Sequence, residues 1–438
     1  MFFNKIKKFM FKEKEKEKEK EILLGVLNNS SWLLFDKISR LGLGLIVGAW
    51  VARYLGPNEY GKLAFILAYI AIFQAISLLG LDNIVVRDIS KYKNKIGGIV
   101  GTTIFMRMSS GILLWSIAVI FIGYKNGFLS ETTILTGLCG AGIIFQATDV
   151  IDLWFQSQSQ SKRTVVVKLS AYLLSNCLKV FLILNHYPIV YFAIVTAIEA
   201  LLCSIGLFFA YKKYPVENIH VSMNIAKRLI RESWPYVFSS LSIIIYMRID
   251  QIMLGNYLGD KAVGIYAAIM PIATLWSFVP MTISTSLAPF IARKRNQDIN
   301  DYNNWIKKIF ILYSGMGWII SILLYFAAPL IVPLLFGNAY SDGVKLLQIL
   351  AINNLFINLG LAQSIWIVNE GKGKLALYKT IVGAIFCIIS NLLLIPQFGM
   401  IGAALSSVFS QIISTVLINI ILERKIFIIQ IKSIFFIK

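Results

Sequence analysis

The sequence predicts an all-α integral membrane protein, with about twelve transmembrane helices in two parallel six-helix repeats around a central lumen. Three observations lead there. Hydrophobic residues fill 57% of 438 positions and charged residues only 15%, with a mean hydropathy of +0.73, whereas a soluble chain carries roughly 25% charge. Apolar stretches of the ~20 residues that a helix needs to cross a bilayer recur along the whole chain. The chain also repeats itself. Tyr54-Leu55-Gly56, Gly61, Ala64 and Ile66 return as Tyr257-Leu258-Gly259, Gly264, Ala267 and Ile269, each 203 positions later.

The first 28 residues read as a cytoplasmic charged tail. Lys12 to Glu21 alternates Lys and Glu without a break, which is too polar to bury and points to a solvated, mobile segment. Twelve spans follow, near 29–54, 60–82, 97–123, 132–157, 163–184, 188–211, 233–257, 263–291, 304–334, 343–369, 374–395 and 401–423. This divides the chain into an N-lobe at 29–211, a cytoplasmic link at 212–232, a C-lobe at 233–425 and a cytoplasmic C-terminal segment at 426–438. Six spans per half is an even number, so both halves enter the membrane in the same direction and the repeat is a parallel one.

Positive charge sets the orientation. Arg87, Lys91, Lys93 and Lys95 follow span 2, and Lys162 and Arg163 follow span 4. Lys212, Lys227, Arg228 and Arg231 follow span 6; Arg293, Lys294 and Arg295 follow span 8; Lys372 and Lys374 follow span 10. The odd links are nearly bare of such residues, so the even links and both termini face the cytoplasm. The formal net charge of +20 is explained by this placement and gives no reason to expect a nucleic-acid partner.

Several chemistries are excluded or unsupported. The odd links are too short to hold a catalytic domain, and no phosphate-cradling loop is present, so no enzyme is expected. His186 and His220 form no metal set, and no cofactor is implied. The four cysteines, Cys139, Cys177, Cys203 and Cys387, lie inside apolar runs and read as packing residues.

Charges inside the membrane are costly and mark function by default. Arg40 and Arg248 lie near the middles of the first spans of the two halves, where planar guanidinium groups can grip phosphate or carboxylate. Lys37, one helical turn before Arg40, together with Arg107 and Lys179, completes a candidate cationic lumen for an anionic headgroup. The plainer alternative is that Asp36 neutralises Arg40 at i,i+4 and that Lys179 reaches to the outer surface. Asp36, Asp149, Asp152, Glu199 and Asp250 are candidates for ion coupling or for pairing with lumen cations. Asp250 lies two residues from Arg248, on another side of the helix, so its partner is expected from a different helix.

Four segments, in order, resemble the bacterial polysaccharide flippases, the O-antigen and capsule transporters of the multidrug/oligosaccharidyl-lipid/polysaccharide exporter superfamily. They are Ser31 to Arg40 closing with Ala52-Arg53-Tyr54-Leu55-Gly56-Pro57, Trp154-Phe155-Gln156, Ile245 to Gly255 with Val263-Gly264-Ile265-Tyr266, and Asn391 to Pro396 with Gly402-Ala403-Ala404. The resemblance spans nearly the whole chain. It implies alternating-access transport of an undecaprenyl-pyrophosphate-linked oligosaccharide across the bacterial inner membrane, with Arg40, Arg248 and Asp250 in the lumen. The partners it implies are that glycolipid, membrane lipids, a coupling proton or sodium ion, and polysaccharide polymerase and chain-length proteins. Twelve spans depart from the fourteen of the lipid II flippases, and the Lys/Glu tail is outside the family pattern. Two other functions are consistent with such a chain: a multidrug-type cation antiporter of the same superfamily, which favours an acidic and aromatic lumen, and a membrane glycan polymerase or ligase, which needs a large outer loop.

Overall fold

In the computed structural model, residues 2–212 and 219–437 are described, the side chains of 2–30 and of Leu33 excepted. The expected inter-lobe link therefore lies partly outside the described residues. Helices are the only regular secondary structure among them. In order come α1 (Phe2–Ser77), α2 (Asp82–Lys91), α3 (Ile96–Asn126), α4 (Glu131–Gly140), α5 (Gly142–Phe145), α6 (Asp149–Ser157), α7 (Ser161–Leu184) and α8 (Ile189–Lys212). The second half holds α9 (Met223–Leu258), α10 (Asp260–Leu275), α11 (Phe278–Gln297), α12 (Ile299–Phe336), α13 (Gly343–Ala351), α14 (Asn353–Asn369), α15 (Gly373–Ile412), α16 (Asn419–Leu422) and α17 (Arg424–Ile434).

Ten stretches of the described residues are long and apolar enough to cross a membrane. Two of them, Leu34–Lys91 at 58 residues and Gly373–Leu422 at 50 residues, are too long for one pass. Each bends at a glycine of positive φ, Gly56 inside α1 and Gly399 inside α15. Counted as two passes each, they give the twelve expected from the sequence. The backbone of α1 continues helical from Phe2 through the Lys/Glu tract, where the sequence suggested a mobile segment. Lys and Glu are both good helix formers.

The sequence repeat is a structural repeat. Gly56 (φ 71, ψ 170) and Gly259 (φ 79, ψ −175) hold the same extended, positive-φ conformation, which is reserved for glycine. Each ends one helix and turns the chain into the next. Five residues on, Gly61 and Gly264 lie back to back. A Cβ on Gly61 would fall 1.8 Å from the Asp260 carbonyl oxygen, and one on Gly264 would fall 1.9 Å from that of Pro57. The two copies of the repeat thus pack on each other about a local two-fold relation, backbone against backbone.

This contact lies on the side of the odd links, and other cross-half contacts gather there. Tyr340 Oη donates to the Ala52 carbonyl at 2.7 Å, and Lys125 Nζ to Asn256 Oδ1 at 3.1 Å. One apolar core joins Ala49, Ala52 and Ala64 of α1 to Val263 and Tyr266 of α10. Small α1 residues let the helices approach closely.

At the opposite end, the first turns of α9 dock on the first half. Ala226 and Leu229 join Leu81, Ile84, Val85 and Ile89 in one core. Asp88, 1% exposed, accepts from Arg87 at 2.8 Å and Arg228 at 2.6 Å, and Arg87 also reaches Glu232 at 2.5 Å. Pro235 follows within α9. The C-terminal α17 lies along α12: Lys425 Nζ donates to Asn303 Oδ1 at 3.1 Å, and Trp318 Nε1 to the Ile434 carbonyl at 3.1 Å.

Candidate substrate cleft and ion site

A cavity of about 530 Å³ opens within the first half. Its charges come from α1 (Asp36, Arg40), α6 (Asp149), α7 (Lys168) and α8 (Glu199). Arg40 Nε donates to Asp36 Oδ1 at 2.9 Å, the i,i+4 pairing that was the plainer expectation. Both groups nevertheless line the cavity. The Arg40 guanidinium also sits 4.9 Å over the Tyr172 ring, whose hydroxyl donates to the Arg40 carbonyl at 3.1 Å. Lys168 Nζ bridges Asp149 at 2.9 Å and Asp152 at 2.8 Å. Glu199 accepts from Ser175 Oγ at 2.6 Å and lies 3.6 Å from Lys179 Nζ. The candidate carboxylates of this half are thus each matched by a cation.

Two candidate cations have no carboxylate partner among the described residues. Lys37 is exposed, and its nearest recorded partner is Met281 Sδ at 3.3 Å, across the two halves on α11. Arg248 on α9 is partly buried beside Tyr60 and makes no ion pair or hydrogen bond with the described residues. Arg40 and Arg248, each near the middle of the first span of its half, therefore differ in state: one is neutralised by its own helix and the other has no partner among the described residues. Arg107 is placed elsewhere. It is 2% exposed in α3, bonded to Asp82 at 2.5 Å, with Nε and Nη1 unpartnered, and it does not line the cavity.

Asp250 is 2% exposed and has no cation beside it among the described residues. Its partners do come from other helices: Tyr266 Oη of α10 donates at 2.6 Å, and Asn391 Nδ2 and Cys387 Sγ of α15 approach at 2.5 and 3.3 Å. A carboxyl buried with neutral donors and no counter-charge is suited to hold a proton or a small cation.

Two functional-looking groups escaped the sequence reading. Lys168 sits in the run Val165-Val166-Val167-Lys168-Leu169, a charge inside a span that a stricter census would have caught. Lys379 of α15 is 9% exposed and donates to Gln363 Oε1. The same oxygen accepts from Asn419 Nδ2 at 3.2 Å and Gln430 Nε2 at 3.4 Å. Gln430 belongs to α17, and Asn419 follows the π-helical turn Ile413–Leu417. No periodicity announces this cluster, because its members come from four separate helices.

Residues 26–295 match the family described as polysaccharide biosynthesis protein, and residues 235–393 match the family described as MatE. The capsular polysaccharide biosynthesis protein CapF of Staphylococcus aureus is 25% identical over 374 residues, covering 84% of this chain and 91% of that protein. A putative O-antigen transporter of Shigella dysenteriae is 21% identical over 380 residues, covering 84% and 92%. Among solved structures, the lipid II flippase MurJ in an inward closed conformation superposes with a TM-score of 0.74 at 15% identity, over 94% of this chain and 91% of that one. An inward-facing multidrug resistance MATE family transporter of the MOP superfamily gives 0.71 at 15% identity, over 90% and 96%. At such identity the likeness is one of fold.

Proposed function

From the premise that the chain belongs to the polysaccharide biosynthesis protein family, we propose that it is a flippase for an undecaprenyl-pyrophosphate-linked oligosaccharide in the bacterial inner membrane. The lipid tail stays in the bilayer while the headgroup crosses between the two halves. The observation that carries this reading is the pair of unmatched cations, Lys37 and Arg248, on helices of opposite halves. A cation without a carboxylate is available to a phosphate, and a guanidinium holds phosphate bidentately. Arg40, held by Asp36, lies one turn from Lys37 and supplies a further positive edge.

The tight junction on the odd-link side supports a state closed at that end, opposite the even links where basic residues place the cytoplasm. Alternating access then requires the Gly61–Gly264 junction to part while the cytoplasmic ends close. Binding must weaken at the far side, and Asp250 is suited to drive that step by taking up a proton or sodium ion. The N- and C-termini lie in the cytoplasm in this scheme, and polymerase and chain-length proteins act on the delivered product.

The double variant Lys37→Ala/Arg248→Ala tests the reading. Loss of surface glycan at unchanged membrane abundance is expected, and normal export counts decisively against the phosphate-binding role of Lys37 and Arg248. A second reading, a multidrug-type cation antiporter, is favoured by one observation: the cavity lining holds three carboxylates, Asp36, Asp149 and Glu199, against the cations Arg40 and Lys168. It predicts that the double variant leaves efflux of lipophilic cations intact.

A further inference from the structure

The cavity of the first half has more hydrogen-bonding capacity than its own contacts use. Its volume, about 530 Å³, falls in the range of small-molecule sites, roughly 300–1,000 Å³. Its charges nearly cancel, so it has no electrostatic reason to select a polyanion. Arg40 and Lys168 each occupy only Oδ1 of Asp36 and Asp149; the second oxygen of each carboxylate has no partner among the described residues. Gln74 Nε2 donates to Gln146 Oε1 at 2.9 Å, which leaves Gln74 Oε1 and Gln146 Nε2 without a partner among the described residues. Ser204, also on the lining, makes no hydrogen bond with the described residues.

Such a lining offers acceptors and donors side by side, most of them fixed by a partner, with little net charge. That is the complement of a sugar ring, whose hydroxyls each donate and accept. We infer that this cavity is a glycan pocket, which reads the hydroxyls of the first sugars through Gln74, Gln146, Ser204 and the paired carboxylates, apart from the cleft cations that hold the phosphate. The inference rests on the flippase reading above and divides its recognition in two: phosphate affinity on Lys37 and Arg248, sugar selectivity in the first half. A site built to hydrogen-bond a hydroxyl discriminates through the unpaired groups left when that hydroxyl is missing.

The test uses the full-length purified chain in lipid nanodiscs. The probes are bare polyprenyl pyrophosphate and a panel of the same lipid carrying neutral oligosaccharides that differ in their first two sugars. At least one glycan-bearing lipid is expected to bind roughly tenfold tighter than the bare lipid, the scale of one or two hydrogen bonds. Gln146→Met is expected to erase that preference and leave bare-lipid affinity within about twofold. Ser204→Ala, which removes a hydroxyl with no structural partner, serves as a second probe if the first variant fails to fold; it is expected to reduce the preference. The pocket assignment is overturned if no panel member exceeds the bare lipid, if both variants keep the preference, or if they weaken bare and glycosylated lipids alike. Failure of the bare lipid to bind the unaltered protein overturns the flippase reading instead.

Discussion

Gly61 and Gly264 occupy equivalent positions in the two repeats and touch each other across the molecule, each held against the backbone that opens the other repeat's helix. The contact is reciprocal, as a two-fold relation demands. Neither position has room for a single added carbon, so the closeness of the two halves at this end depends on both being glycine.

Gly61→Ala or Gly264→Ala should therefore wedge the junction open. Overpacking of a tight site costs about 1–3 kcal/mol, enough to shift a two-state equilibrium by roughly one to two decades. A cysteine placed at Tyr60 would report the change through a membrane-impermeant thiol reagent added from outside. Labelling should rise in the alanine variants, and unchanged labelling would remove the junction from any gating role.

Asp250→Asn keeps the size of the side chain but removes its charge. Transport by this variant in vesicles should lose its response to an imposed proton or sodium gradient, while binding of the glycolipid persists. A full gradient response in Asp250→Asn would place the coupling on another carboxylate, with Glu199 the next to examine.

Asp88→Asn should be among the most damaging single changes at the even-link end. It leaves Arg87 and Arg228 facing a neutral amide at a site only 1% exposed. Removing one partner of a buried ion pair costs about 3–5 kcal/mol, lessened here because the two arginines are themselves partly exposed. The expected readout is a clear fall in thermal stability in detergent, partly restored by Arg228→Gln in the same chain.

Gln430→Leu should unsettle the second half by way of its buried amide cluster. Asn419 and Gln363, both fully buried, lose a partner, at about 1–3 kcal/mol. The melting temperature should drop by several degrees, and removal of everything after Glu423 should produce at least the same drop. Unchanged melting after truncation would show that α17 contributes nothing to the fold.

The class of the protein, its twelve passes and its duplication could all be read along the chain. A bilayer forces every backbone group to be satisfied within the segment, so span length and apolarity are properties of consecutive residues and leave a one-dimensional trace. The repeated Tyr-Leu-Gly segments leave such a trace too, because the extended positive-φ turn that each makes is open only to glycine. Even the Asp36–Arg40 pair was available, since its spacing lies within one helix. The sequence could not say that Arg248 stays free while Arg107 turns into a core toward Asp82, that Lys168 reaches two acids on another helix, or that α17 returns to complete the surroundings of Lys379. Those outcomes depend on the rotational setting of each helix and on which neighbours it meets. Packing between helices far apart in the chain fixes both, and no local periodicity encodes them.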